Sequence, residues 1–156
     1  MSENPPTKAP WLPPRWFIRT AWVVHRALYR VTGGRFALQR ARPEHWGTMR
    51  LTVTGRRTGR ERPVILAYVE DGPNLTTLAM NGWGEGDPAW WLNLQAHPDA
   101  HVVWPDGERL VRARAAEGAE RERLWTLWRE NNKDLEAYAS RRATPTAVIV
   151  LEPRDG

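Results

Sequence analysis

A chain of 156 residues, 41% hydrophobic and 26% charged, has the length of about one ordinary domain and enough apolar residues to bury a core. Cysteine is absent, which excludes disulfides, thiolate metal sites and a cysteine nucleophile together. The net charge of +5 is unevenly spread, because residues 1–62 hold 13 of the 23 basic residues and three of the 18 acidic ones. That half either meets a polyanion (a nucleic acid, an anionic lipid surface, a phosphorylated small molecule) or is simply a solvated basic face.

In chain order, residues 1–14 carry five prolines and read as a flexible arm, and residues 15–156 as a single domain. The arm has no apolar core or cleavage pattern of a signal peptide, and no uncharged run is long enough to span a bilayer, so the expected location is cytoplasmic. Residues 15–31 have helical periodicity. Phe17, Ala21, Val24, Leu28 and Val31 form one stripe, while Arg15, Arg19, Arg26 and Arg30 line another face. Such a helix packs on its own domain with a wet basic side, or contacts the inner face of the cell membrane. Gly33-Gly34 ends it.

Strands follow at 49–54, 63–69 and 75–80, joined by the turns Gly55-Arg56-Arg57-Thr58-Gly59 and Glu70-Asp71-Gly72-Pro73-Asn74. After a glycine-rich loop, Asp87 is a good N-cap and Pro88 sits well at the first helical position, so a short helix is expected over Ala89–Ala96. A hairpin around residues 105–108, helices at 119–129 and 134–140, and a final apolar strand at 146–151 complete the chain. About six mostly antiparallel strands with surrounding helices favour an α+β fold built on a small barrel-like sheet.

The chemistry these residues support is limited. His25, His45, His97 and His101 form no metal-binding pair, since Pro98 breaks the only four-residue spacing. Ser2 and Ser140 are the only serines and neither lies in a nucleophile elbow. Without an acid–base constellation, an enzyme built on this chain would take its chemistry from a cofactor. Residues 54–62 offer an anion site, with four arginines on a glycine-flanked turn whose N–H groups can approach an anion, or else are a solvated turn. Residues 87–98 open a helix with Trp90 and Trp91, which supply N–H groups and an indole face, or else serve as core and edge cover.

Together, Thr-Gly-Arg-Arg-Thr-Gly at 54–59, Asn81-Gly82, and Asp-Pro-Ala-Trp-Trp-Leu-Asn-Leu-Gln-Ala-His-Pro at 87–98 strongly resemble the deazaflavin-dependent nitroreductase and quinone reductase family of actinobacteria. The resemblance extends from an Arg-Ala-Leu-Tyr-Arg helix to the closing Val-Ile-Val-Leu-Glu-Pro. It implies a split β-barrel and coenzyme F420, whose phosphate and polyglutamate tail would account for the basic half of the chain. By that resemblance, Arg56, Arg57 and Thr58 would hold the phosphate and tail. Arg62, Pro63, Val64, Ile65, Leu66 and Ala67 would run beside the cofactor. Leu78, Ala79, Met80 and Asn81 would end the third strand beneath the ring, and Ala89, Trp90, Trp91, Leu92 and Asn93 would bring helix N–H groups and an indole against it.

The implied activity is hydride transfer from the reduced deazaflavin to a quinone, enone or nitro-type acceptor, with Tyr138 or Tyr68 as the donor to the acceptor oxygen. The chain departs from the family at Met80-Asn81, which replaces Ser-Lys and removes a cationic contact, and at Ala67, which replaces a pocket aromatic. Of the tyrosines that shape the nitroimidazole pocket in the family, only Tyr138 has a match. The alternatives are a non-catalytic carrier of fatty acid or another hydrophobic ligand, and a split barrel that takes FMN. The partner expected is a small-molecule acceptor, not nucleic acid, because no recognition-helix or RRM motif accompanies the charge. The chain reads as a monomer or homodimer.

Overall fold

The computed structural model describes residues 38–80, 86–143 and 145–154. The expected arm at 1–14, the helix at 15–31, Gly33-Gly34 and Asn81 lie outside the described residues.

Strand β1 (Gly47–Thr54) alternates strictly between buried and half-buried positions, which turns Met49, Leu51 and Val53 to one side. The long strand β2 (Glu61–Asp71) pairs antiparallel with it from Gly47↔Tyr68 to Thr54↔Glu61. After a Gly72-Pro73 turn comes β3 (Asn74–Ala79). It ends one residue earlier than the alternation suggests, because the Met80 N–H folds back onto the Leu78 carbonyl at 3.0 Å. Helix α1 (Ala89–Ala96) leads through Pro98 into β4 (Asp99–Trp104). The turn to β5 (Gly107–Ala115) is tighter than expected, with Trp104 paired to Gly107 across Pro105-Asp106. Then follow α2 (Gly118–Asn131), α3 (Leu135–Ala139) and β6 (Ala147–Pro153).

The six strands close into a barrel in the order β1-β2-β3-β6-β5-β4, with β4 pairing back onto β1 through Leu51↔Val102. Closure removes the exposed edges that an open sheet would present. Met49, Leu51, Val53, Tyr68, Leu75, Val102, Val111, Ile149 and Leu151 fill the interior. The opposite faces of β2, β3 and β6 present Val69, Leu78, Val148 and Val150, and α2 and α3 cover these with Leu124, Trp128 and Leu135. Thr76, buried under that cover, accepts a hydrogen bond from the Trp128 indole at 2.9 Å, so the polar atom is not left bare.

Residues 38–46 strap across the start of β1. Thr48 N–H donates to the Gln39 carbonyl at 2.9 Å, and the Ala41 N–H donates to the Tyr68 hydroxyl at 3.2 Å. Only glycine fits beneath this strap at position 47, where a Cβ would lie 2.5 Å from the Ala41 nitrogen and 2.6 Å from the Tyr68 ring. No helix among the described residues is long and apolar enough to cross a membrane.

Candidate functional site

Arg56, Arg57 and Thr58 form the exposed tip of the β1–β2 turn. The Gly55 N–H donates to the Arg60 carbonyl and the Gly59 N–H to the Gly55 carbonyl, both at 2.8 Å. The glycine donors therefore close the turn on itself and do not face outward, as the glycine-flanked sequence suggests. Gly59 is needed for its left-handed backbone, at φ 71°. The Arg60 N–H goes to the Thr58 hydroxyl at 3.3 Å, and the Arg56 N–H to Asn93 Oδ1 at 3.1 Å. The N–H groups of Arg57 and Thr58 are left without an acceptor among the described residues. Around them stand the exposed side chains of Arg56, Arg57, Arg60 and Arg62, none of which is in an ion pair among the described residues. Four unneutralised guanidiniums beside two free amides are a donor set suited to phosphate and carboxylate groups.

Helix α1 is fastened to that turn. Asn93 is buried, and its Oδ1 accepts from both the backbone N–H of Arg56 and the Arg56 guanidinium Nη1, the latter at 2.9 Å. The helix spans Ala89–Ala96 as its sequence suggests, but its cap differs from the expected Asp87. Pro88 occupies the cap position in an extended conformation, and no side chain caps the helix, so Asp87 sits one residue too far out to do so. The Pro88 carbonyl accepts from Trp91 and Leu92, which leaves the Ala89 and Trp90 N–H groups without an intrahelical acceptor. Trp90 and Trp91 are 7% and 6% exposed and belong to the interior cluster with Leu94, so α1 plugs one end of the barrel with both indoles. Ala89 is exposed and Leu92 half-buried.

On β2, Val64 and Leu66 pack against the interior cluster, while Ala67 faces the outer one. Ile65 shares the outward side with Ala67, opposite Arg50 on β1. Pro63 is exposed beside Arg62. At the end of β3, Ala79 reaches the interior cluster, and Leu78 and Met80 the outer one. The structure thus brings the β1–β2 turn to α1 through Asn93, and Val64, Leu66, Ala79, Trp90 and Trp91 into one cluster.

The two tyrosines stand apart. Tyr68 is fully buried, its hydroxyl engaged by Ala41, and burial pushes its pKa up. It lies six residues along β2 from Arg62, about 20 Å away. Tyr138 is half-buried on α3, three residues after Leu135 and so on the same helix face, and Leu135 joins the outer cluster with Ala67, Leu78 and Met80. The Arg141 guanidinium lies 5.8 Å from the Tyr138 ring centroid.

One residue that the sequence does not single out lies at the same end of the barrel. Arg142 is 6% exposed, and its guanidinium donates to the Ala79 carbonyl at 3.1 Å, to the Thr146 hydroxyl at 2.7 Å and to the Gly86 carbonyl at 2.8 Å. In sequence it is the second arginine of a polar stretch, indistinguishable from a solvated charge.

Comparison with known proteins agrees with this arrangement. The family model described as F420H(2)-dependent quinone reductase matches residues 22–153. A Mycobacterium tuberculosis protein, Rv3178, whose name proposes an F420H(2)-dependent quinone reductase, is 31% identical over 107 residues, which are 69% of this chain and 90% of that protein. Among solved structures, an F420-H2 dependent reductase, FDR-A, matches with a TM-score of 0.63 and 29% identity over 73% of this chain and 97% of its own. A chain described as a domain-swapped dimer matches with a TM-score of 0.64 and 26% identity, over 86% of this chain and 99% of its own. With an arginine-rich turn tied to a barrel-plugging helix, on a closed barrel matched by that family model over residues 22–153, this chain belongs to the F420H(2)-dependent quinone reductase family.

Proposed function

We propose that the protein is an F420H2-dependent reductase acting on a quinone-type acceptor. The observation that carries this reading is the set of four arginines with no ion-pair partner among the described residues, beside the free Arg57 and Thr58 amides and fastened by Asn93 to the helix that closes the barrel. Coenzyme F420, when bound, supplies the hydride.

The residues present fit that cofactor. Arg56, Arg57 and Thr58 hold its phosphate and carboxylate tail, with Arg62 and the outward side of β2 beside it. The end of β3 and the first turn of α1 bound the ring, where the Ala89 and Trp90 N–H groups point out of the helix. The two buried indoles close the barrel behind them and keep water from that side. Tyr138 is the proton donor toward the acceptor. It lies one turn after Leu135, which joins the outer cluster with Ala67 and Met80, whereas the Tyr68 hydroxyl is tied into the strap and serves the barrel wall. Enones and nitro compounds are further acceptors of the same electronic class.

The relative described as a domain-swapped dimer supports a homodimer as the assembly. The cationic stripe of residues 15–31 is the part of the chain that would meet a membrane holding lipid quinones.

The test is a tryptophan-fluorescence titration with F420 and, in parallel, with FMN. Saturable quenching by F420 alone is expected, weakened at least tenfold by Arg56→Ala with Arg57→Ala, and more weakly dependent on salt in that variant. Binding of FMN alone would change the enzyme class. Binding of neither, with fatty acid retained through purification, would make the barrel a lipid carrier.

A further inference from the structure

Among the described residues, Arg142 is the one buried cation, and its partners there are all neutral oxygens from three separate segments: the last residue of β3, Thr146 just before β6, and Gly86 on the approach to α1. No carboxylate pairs with it among the described residues, and its buried Nε has no partner. Burying a guanidinium without a counter-charge is expensive, and a merely space-filling role at this point could be met by an apolar side chain. What an apolar side chain cannot do is span the Ala79 and Gly86 carbonyls. The planar fork of a guanidinium reaches both from one group, with Nη1 on the strand end and Nη2 on the helix approach.

These two carbonyls belong to the segments that bound the cofactor ring in the functional reading above, on which this inference rests. One segment is the floor at the end of β3, and the other leads through Asp87 and Pro88 to the exposed N–H groups of α1. We propose that Arg142 is a positioning residue that sets the spacing between the end of β3 and the start of α1 before F420 binds. Its fork keeps the ring end of the site open to one width, so cofactor binding does not have to order the helix approach. The Arg56–Asn93 bonds hold the middle of α1 in the same way. The helix and its approach are thus held by two arginines, one 37 residues before Asn93 and one 56 residues after Gly86.

The experiment compares wild type, Arg142→Lys and Arg142→Met by F420 titration, thermal melting, and amide hydrogen exchange of the ligand-free protein. Lysine keeps the charge but replaces the planar fork with a single nitrogen, so it cannot hold the two carbonyls at the spacing that Nη1 and Nη2 set. Both variants are expected to fold, to bind F420 about tenfold more weakly, and to exchange the amides at 87 and 89–90 faster than wild type. Wild-type F420 affinity in Arg142→Lys would overturn the proposal, as would lowered melting temperatures with unchanged affinity in both variants. If neither variant folds, Thr146→Val removes one acceptor of the fork and keeps the charge. Weakened F420 binding there supports the proposal, and wild-type binding overturns it. Failure of the wild type itself to bind F420 would refute the cofactor reading instead.

Discussion

Asn93 shows how one side chain can hold two parts of a site. Its buried Oδ1 takes both a backbone and a guanidinium donor from Arg56, a role that its place in the 87–98 motif does not reveal. Removing it strands two donors at the foot of an exposed turn. Asn93→Ala should cost about 1–3 kcal/mol in a denaturant melt, because hydrogen bonds to charged groups sit at the upper end of the usual range. The same variant should bind F420 more weakly than a control substitution at Gln95, since the turn would lose its fixed approach to α1. Trp90 and Trp91 make the opposite point. Their adjacency reads from sequence as an aromatic platform for a flat ligand, or as core. Their burial puts both rings in the barrel interior, where they report on a ligand by fluorescence and close the end of the barrel.

At the scale of elements, the strands are the most legible part. The alternation of β1 matches its burial position by position, and β6 is a short apolar run covered on both sides. Element ends are less legible, because they depend on contacts and not on pattern. β3 stops where Met80 folds back on Leu78, and the cap of α1 falls on Pro88 and not on Asp87. Helix α2 depends on the outer cluster for its place. Trp128 fills that cluster and also satisfies Thr76, so two effects can be separated by substitution. Trp128→Ala should destabilise the protein by about 3–5 kcal/mol through lost burial and a cavity. Trp128→Phe should cost about 1–2 kcal/mol, mainly from the unmet Thr76 oxygen. Equal losses in both variants, measured by urea melts, would mean that the hydrogen bond carries the packing.

For the whole molecule, ion pairs join the helical layer to the barrel. Arg123 on α2 holds Asp71 at the end of β2 through two bonds of 2.8 and 3.0 Å. Arg114 on β5 joins Glu152 on β6 and Glu120 on α2. The hydrogen bonds from these arginines hold the Asp71 and Glu120 carboxyls below their ordinary values. A depressed folded-state pKa means stability that is present above the unfolded value and lost as pH falls through the folded one. The melting temperature should therefore be flat from neutral pH down to about 5 and fall below about pH 4.5. Arg123→Ala should make that acid limb shallower without moving its plateau by much, because the pair is partly solvated. An acid limb as steep as that of the wild type in Arg123→Ala would show that the Asp71 pair carries none of it.

The sequence by itself determined the strands, the turns, the absence of thiol chemistry, and the paired motifs at 54–59 and 87–98 that mark the family. Each of these is written in local order: period-two alternation, glycine and proline punctuation, and short runs of fixed spacing. Only the tertiary structure decided that the glycine amides of the turn bond to the turn itself, that Tyr68 is part of the wall, and that Arg142 is buried. The reason is distance along the chain. Arg56 meets Asn93 across 37 positions and Arg142 meets Ala79 across 63, and no local pattern records which far segment will supply the acceptor. Barrel closure makes those meetings, because pairing β4 back onto β1 and β6 between β3 and β5 carries remote segments to one end of the same cylinder.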